Sequence, residues 1–188
     1  MTQDRSPRTD DAASDDAATA EPDSVPDAFT DLSVLRERDV PFHVETETAD
    51  RGAVAELATH DDMAVVGIQD EDGRALLRKA TADCAWKLPV ETVAANDDYA
   101  AAARRALAAT GVAGTLDAVE GVWGIDLVTP DGEATASRRF VVFRAEPEPT
   151  AAEPLRIASG EATVFDADWF AALPAAASAL PGTDLFID

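Results

Sequence analysis

One cysteine, two histidines and one tyrosine are all that 188 residues contain of those types, and only Lys79 and Lys87 are lysines among 15 basic residues. Cys84 alone excludes an internal disulfide and a thiolate zinc site. His43 and His60 stand in no recognisable motif, so no partner is evident for a catalytic thiol, and Cys84 is expected to be a small buried apolar residue. No apolar run approaches the roughly 20 residues that cross a bilayer. The N-terminus has no apolar signal core either. A cytoplasmic chain with no membrane partner is therefore expected. The shortage of positive charge argues equally against binding a nucleic-acid backbone.

What the chain has instead is acid. Its 37 Asp and Glu residues give a net charge of −22. Residues 1–30 hold eight acids and two arginines, so most of the excess lies on the remainder. Such a surface repels itself in dilute buffer, and molar salt shortens that repulsion to about 3 Å. The expectation is a protein adapted to very high salt. The alternative is an acidic surface that mimics nucleic acid for a basic partner. Against it, the acids lie on every segment and form no dense stripe.

Composition divides the chain. Residues 1–28 are rich in Asp, Ala, Ser, Thr and Pro and offer little to bury, which predicts a disordered acidic leader. Residues 29–60 read as an N-terminal extension, with a helical turn around Leu32–Leu35, a strand over Val40–Thr48 and a short helix over Arg51–Ala58. Residues 61–188 read as the main domain. There, Met63–Ile68 and Ala75–Arg78 flank Asp70-Glu71-Asp72-Gly73, which predicts a hairpin. Leu116–Val128 and Arg139–Arg144 carry strand-like apolar residues around a second turn at Thr129–Gly132. Glu146–Pro154 is a Pro/Glu loop. Asp166-Ala167-Asp168-Trp169-Phe170 predicts a capped closing helix ended by Pro174.

The centre of the chain is Trp86–Val112, a strand end, a loop and an Ala-rich helix. Asp97 or Asp98 is placed to cap its start and Gly111 to close its end. The order "W-x-L-P, loop, Ala-rich helix with a paired Arg, T-G-V" resembles the Nudix box of the Nudix hydrolase superfamily. The preceding V-V-G-I and following W-F segments extend the resemblance over about residues 61–174. It implies an α+β fold, an α/β/α sandwich with a mixed sheet between helices. Aligned from the end of the box, Gly111, Val112 and Arg104 match the family. Arg105, Ala108 and Ala109 stand where it has three glutamates, Asn96 at its earlier Glu, and Val90 at its opening Gly.

In the family those glutamates hold Mg²⁺, a hard cation that wants oxygen ligands. The metal clamps a diphosphate and helps generate the attacking water. Alanine offers no ligand atom, and arginine offers a fixed positive charge. No metal or other cofactor is therefore expected, and no catalytic residue is assigned. Asp97 and Asp98 read first as acids meeting the helix dipole. The candidate ligand-binding residues are Glu91 in the loop, Arg104 and Arg105 on the helix, and Glu120 and Arg139 on the later strands. Arginine grips phosphate or carboxylate without metal; equally, these arginines could pair with surface acids. Arg138 and Arg144 on the later strand are further basic residues that could face the same cleft, and Glu120 and Asp126 stand in the strand region where the resemblance implies an extra acid in some members.

Three functions fit. The first is a Nudix-like domain without metal-dependent hydrolysis, acting as a regulatory module for a nucleotide, another anion or a protein partner. The second is a divergent hydrolase of a nucleoside diphosphate linked to another moiety, with Glu91 or strand acids holding Mg²⁺. The third is an interaction protein with an empty pocket. The charge yields a first prediction. The thermal unfolding midpoint should rise steadily between about 0.1 M and about 2 M KCl as repulsion is screened. A midpoint that stays flat or falls over that range would remove the high-salt reading.

Overall fold

The computed structural model describes residues 25–148, apart from residue 82, and residues 166–188. Most of the expected leader and the later part of the Pro/Glu loop lie outside the described residues. In chain order the elements are α1 (Ser33–Arg36), β1 (Phe42–Thr48), α2 (Arg51–Leu57), β2 (Asp62–Ile68), β3 (Ala75–Lys79), β4 (Val90–Val93), α3 (Tyr99–Ala108), β5 (Gly114–Val128), β6 (Thr135–Pro147) and β7 (Asp166–Phe170). A one-turn 3₁₀ helix covers Thr183–Leu185. The fold is α+β.

Five strands form one mixed sheet in the order β1-β5-β6-β2-β4. β1 runs parallel to β5, and β2 parallel to β6. The β5–β6 and β2–β4 pairs are antiparallel. β1 thus completes the edge of the sheet that the main domain builds, although the sequence reads it as part of an extension.

Period-two alternation sorts the strand residues between two cores. Ala64, Val66 and Ile68 of β2 join Val141 and Phe143 of β6 beneath α3. Val65 and Val142 face the other way, toward Leu88, Phe186 and Ile187. The described cover on that second face is shared by β3 (Ala75, Leu77), Leu88 with Trp86, Phe170 of β7 and the C-terminal segment, with Leu173 and Leu180 packed alongside.

Helix α3 owes its seat to alanine. Ala100, Ala102, Ala103 and Ala106 are fully buried, and alanine combines the best helix propensity with the smallest side chain. The helix starts at Asp98, whose carboxylate accepts from the N–H groups of Ala100 at 2.8 Å and Ala101 at 3.2 Å. It ends where Gly111 turns left-handed at φ 75°. Of the two cap candidates, the chain uses Asp98. The same carboxylate accepts from Phe29 N–H at 3.2 Å. Phe29 stacks on Tyr99 with centroids 5.5 Å apart. One side chain thus caps the helix and docks the segment before α1.

Three sequence expectations are corrected. The Asp70–Gly73 turn forms, with Gly73 N–H bonded to Asp70 C=O at 2.9 Å, but β2 and β3 do not pair as a hairpin. β2 has β6 on one side and β4 on the other, so beyond the Gln69–Ala75 bridge β3 leaves to pair with β7. The predicted closing helix is β7, its Ala167 buried. Asp168 Oδ1 accepts from its neighbour Trp169 N–H at 2.9 Å and caps no helix. Cys84 is exposed, because the loop it occupies buries the later Leu88. Thr81 Oγ1 donates to its sulfur at 3.1 Å. That bond and one from the Thr81 backbone hold the thiol below its usual range.

Asp98→Ala should cost about 1–2 kcal/mol in denaturant unfolding, the value of a lost N-cap. Asp97→Ala should stay within about 0.5 kcal/mol, as for an exposed position without such a role. Equal losses from the two variants would refute the assignment of the cap.

Candidate functional site

Because α3 buries its alanine face, the opposite face of the helix points outward. Arg104, Arg105, Ala108 and Ala109 are all exposed. Alongside the second half of the helix runs a groove of about 530 Å³ lined by Arg104, Leu107, Ala108, Val112, Leu116 and the acidic Glu148, among others. That volume lies within the range of small-molecule sites. Arg104 Nη1 donates to the Asp27 carbonyl at 2.9 Å, a neutral partner. Arg105 Nη2 lies 3.9 Å from Asp97 Oδ2, with both side chains about half exposed. An ion pair so open to solvent contributes little to stability and leaves the guanidinium available.

The remaining candidates do not converge on this groove. Arg139 extends along the sheet toward β5, with Nη2 on Asp126 Oδ1 at 2.6 Å and Nη1 on the Ile125 carbonyl at 3.1 Å. Glu120 accepts from Arg144 Nε at 2.5 Å. Arg139 has the parity of Val141 and Phe143, beneath α3, whereas Arg144 has that of Phe140 and Val142 on the opposite face. Their separation follows from strand alternation. Glu91, on β4, is half-buried, and its charge favours the protonated form of the partly buried Arg78 against the desolvation that lowers it.

Two bulges in β5 shape a further cleft. The register shifts between Leu116 and Ala118 and between Val119 and Gly121, so Asp117 and Glu120 are the extra residues. Bulges re-aim side chains, and both acids line a cavity of about 450 Å³ with Arg38, Asp39 and Arg144. Sequence periodicity does not reveal an extra residue of this kind.

At the other end of α3 lies a polar cleft of about 340 Å³, lined by His60, Asp61, Asp62, Asn96, Asp97 and Tyr99 among others. Asn96 adopts a left-handed φ of 67°, which Asn accepts more readily than most residues. Asp62 is the hub. It accepts from Tyr99 Oη at 2.5 Å and from the Arg139 backbone N–H at 2.7 Å, tying β2 to α3 and to β6. Sequence reasoning missed both Asp62 and Tyr99. A lone acid opening a strand and a lone tyrosine in a first helical turn carry no pattern; the signal is their meeting in space.

Among the described residues, no group of three or more His, Cys, Asp or Glu side chains could hold a metal ion. The donor set beside α3 does not fit magnesium: Arg105 brings positive charge, and alanines bring no ligand atom. Nor is any described helix long and apolar enough to cross a membrane. A comparison with known protein families and with curated proteins finds no match for this chain.

Burial, the Asp62 hydrogen bond and the Asp62 charge together hold the Tyr99 phenol far above the usual range. An unfolded tyrosine ionises near pH 10, while the folded one stays neutral beyond it. The stabilisation is therefore complete below about pH 10 and is lost as pH rises further. Tyr99 is the only tyrosine, so tyrosinate absorbance reports on it alone. The signal should appear together with unfolding. Smooth titration around pH 10 in a protein that is still folded would contradict this. Tyr99→Phe should remove the component of alkaline unfolding that this group contributes.

Proposed function

We propose that the chain is a Nudix-like domain that has lost magnesium-dependent diphosphate hydrolysis and serves as a nucleotide- or anion-binding regulatory module. The observation that carries this reading is the outward face of α3. Arginine and two alanines occupy the family's acidic positions there, beside a groove edged by Arg104. The capped α3, the long β5–β6 pair and the mixed sheet match what the resemblance implies, whereas the hairpin before the box and the closing helix are replaced by the β3–β7 pair.

An anion in the groove would meet Arg104 directly, while Arg105, the next residue of the same turn, lies exposed outside the groove lining and adds positive charge nearby. Guanidinium binds phosphate through paired N–H donors with no metal between them. Leu107, Val112 and Leu116 would supply apolar contact for the rest of the ligand. Glu148 also lines the groove and opposes negative charge placed near it, so the anionic group of the ligand would sit at the Arg104 side. The hydrolase alternative draws mainly on Glu91, since the Glu120 carboxylate is engaged by Arg144.

The test is thermal unfolding in about 2 M KCl with nucleoside di- and triphosphates, with and without EDTA. A ligand at a hundred times its Kd adds about 2.7 kcal/mol. The expected gain is indifferent to EDTA, and Arg104→Ala weakens affinity about tenfold through loss of a charged hydrogen bond. Phosphate release that needs Mg²⁺ and disappears in Glu91→Gln would establish the hydrolase instead. Absence of stabilisation by every anion would leave an interaction protein with an empty groove. Mg²⁺ binding gained by the triple variant Arg105→Glu, Ala108→Glu, Ala109→Glu would support the proposed ancestry.

A further inference from the structure

β1 forms one edge of the five-stranded sheet, and its outer row of backbone groups has no strand beside it among the described residues. Which groups point outward follows from its pairing with β5. Val122 N–H bonds to Pro41 C=O at 2.9 Å, and Ala49 N–H to Val128 C=O at 3.0 Å. In a parallel ladder, alternate residues of a strand share one neighbour, so residues 41, 43, 45, 47 and 49 face β5. Phe42, Val44, Thr46 and Thr48 direct their N–H and C=O groups away from the sheet. Edges are usually blunted by lysine, proline or a bulge. Across its seven residues β1 has none of these; its only edge protection is the charge of Glu45 and Glu47, which salt screens. The opposite edge, β4, is only four residues long.

We infer that β1 pairs with β1 of a second copy, antiparallel about a two-fold axis through Val44, joining two sheets into one. Side-chain chemistry selects this register. Val44 meets its own counterpart, Phe42 lies opposite Thr46, and His43 lies opposite Glu45, twice over. Opposed residues in an antiparallel pair share a face and interact directly. The imidazole offers an N–H to a carboxylate in either protonation state. Moving the axis to Glu45 would set two carboxylates against each other, which is unfavourable. The Val44 register is the complementary one.

The flanking surface supports the same occupant. A groove of about 620 Å³, lined by His43, Glu45, Trp123, Ile125, Phe140 and Pro181 with others, borders β1 on the His43 face. The two-fold axis would bring the grooves of both copies side by side and cover apolar surface. His43 is already oriented by stacking on Trp123, with centroids 4.7 Å apart. Each copy carries a net charge of −22, so pairing requires salt that screens repulsion beyond a few ångströms.

Sedimentation and light scattering of the full chain at about 100 µM in about 2 M KCl test the pairing. The expected mass is that of a dimer, shifting to monomer as salt is lowered in a range where circular dichroism remains native. Val44→Pro removes an outward N–H that the chain's own sheet does not use, and edge strands tolerate such a proline; it should abolish the dimer. His43→Glu and Glu45→Lys should each weaken association about tenfold. The double variant restores an opposite-charge pair and should recover most of that loss. Circular dichroism of each variant separates loss of pairing from loss of fold. A monomer under all conditions overturns the inference. So does a dimer indifferent to Val44→Pro, or a double variant no better than the singles. None of these outcomes depends on the ligand reading of α3.

Discussion

Contact between the alanine face of α3 and the sheet is the constraint from which the rest follows. Methyl groups at 100, 102, 103 and 106 are buried to completion, and close-packed interiors leave no slack for anything larger. That contact fixes the rotation of the helix about its axis. Its rotation in turn decides that positions 104, 105, 108 and 109 meet solvent. What those positions can do is then a matter of side-chain chemistry alone. Guanidinium and methyl groups stand there, and neither offers an oxygen ligand to a hard cation. The Asp98 carboxylate locks the arrangement from the start of the helix by bonding its first turn and Phe29 together.

How much of this the sequence disclosed depended on whether the deciding physics was local. The start and end of α3, the strands around Met63–Ile68 and Arg139–Arg144, and the turn at Asp70–Gly73 all rest on short-range chemistry. Periodicity, an Asx cap and a positive-φ glycine were enough to find them. Strand partners were not legible, because a turn between two strands does not oblige them to pair. β2 is satisfied on both sides by β6 and β4, and that competition is settled by residues distant in the chain. Asp166–Phe170 misled for a related reason. Its acids resemble a helix cap, yet β3 offers a complete antiparallel ladder, and tertiary pairing overrode the local signal.

The candidate ligand residues show the same boundary. Arg139 and Arg144 sit five positions apart on one strand, so they emerge on opposite faces. Each finds a carboxylate on β5, Asp126 for one and Glu120 for the other. Net charge could not foretell this distribution. In a chain so rich in acid, arginines within reach of strand carboxylates become cross-strand ties, and those on the outer side of α3 keep looser partners. Asp62 and Tyr99 lay beyond sequence reasoning because their bond spans 37 positions.

The cover on the second face is held differently from the helix. Beneath the Phe186 ring lies Gly67, where an added Cβ would stand 2.2 Å from ring carbons. The aromatic fits only because β2 has no side chain at that point. Displacing it would also disturb the Gln69 amide, which donates to the Phe186 carbonyl at 2.9 Å, and the Arg144 guanidinium stacked 5.0 Å from the ring centroid. One layer of the molecule is thus secured by many small groups in parallel, and the other is keyed through a single vacancy. Damage to the first would be gradual, whereas the second can be unlatched by one methyl.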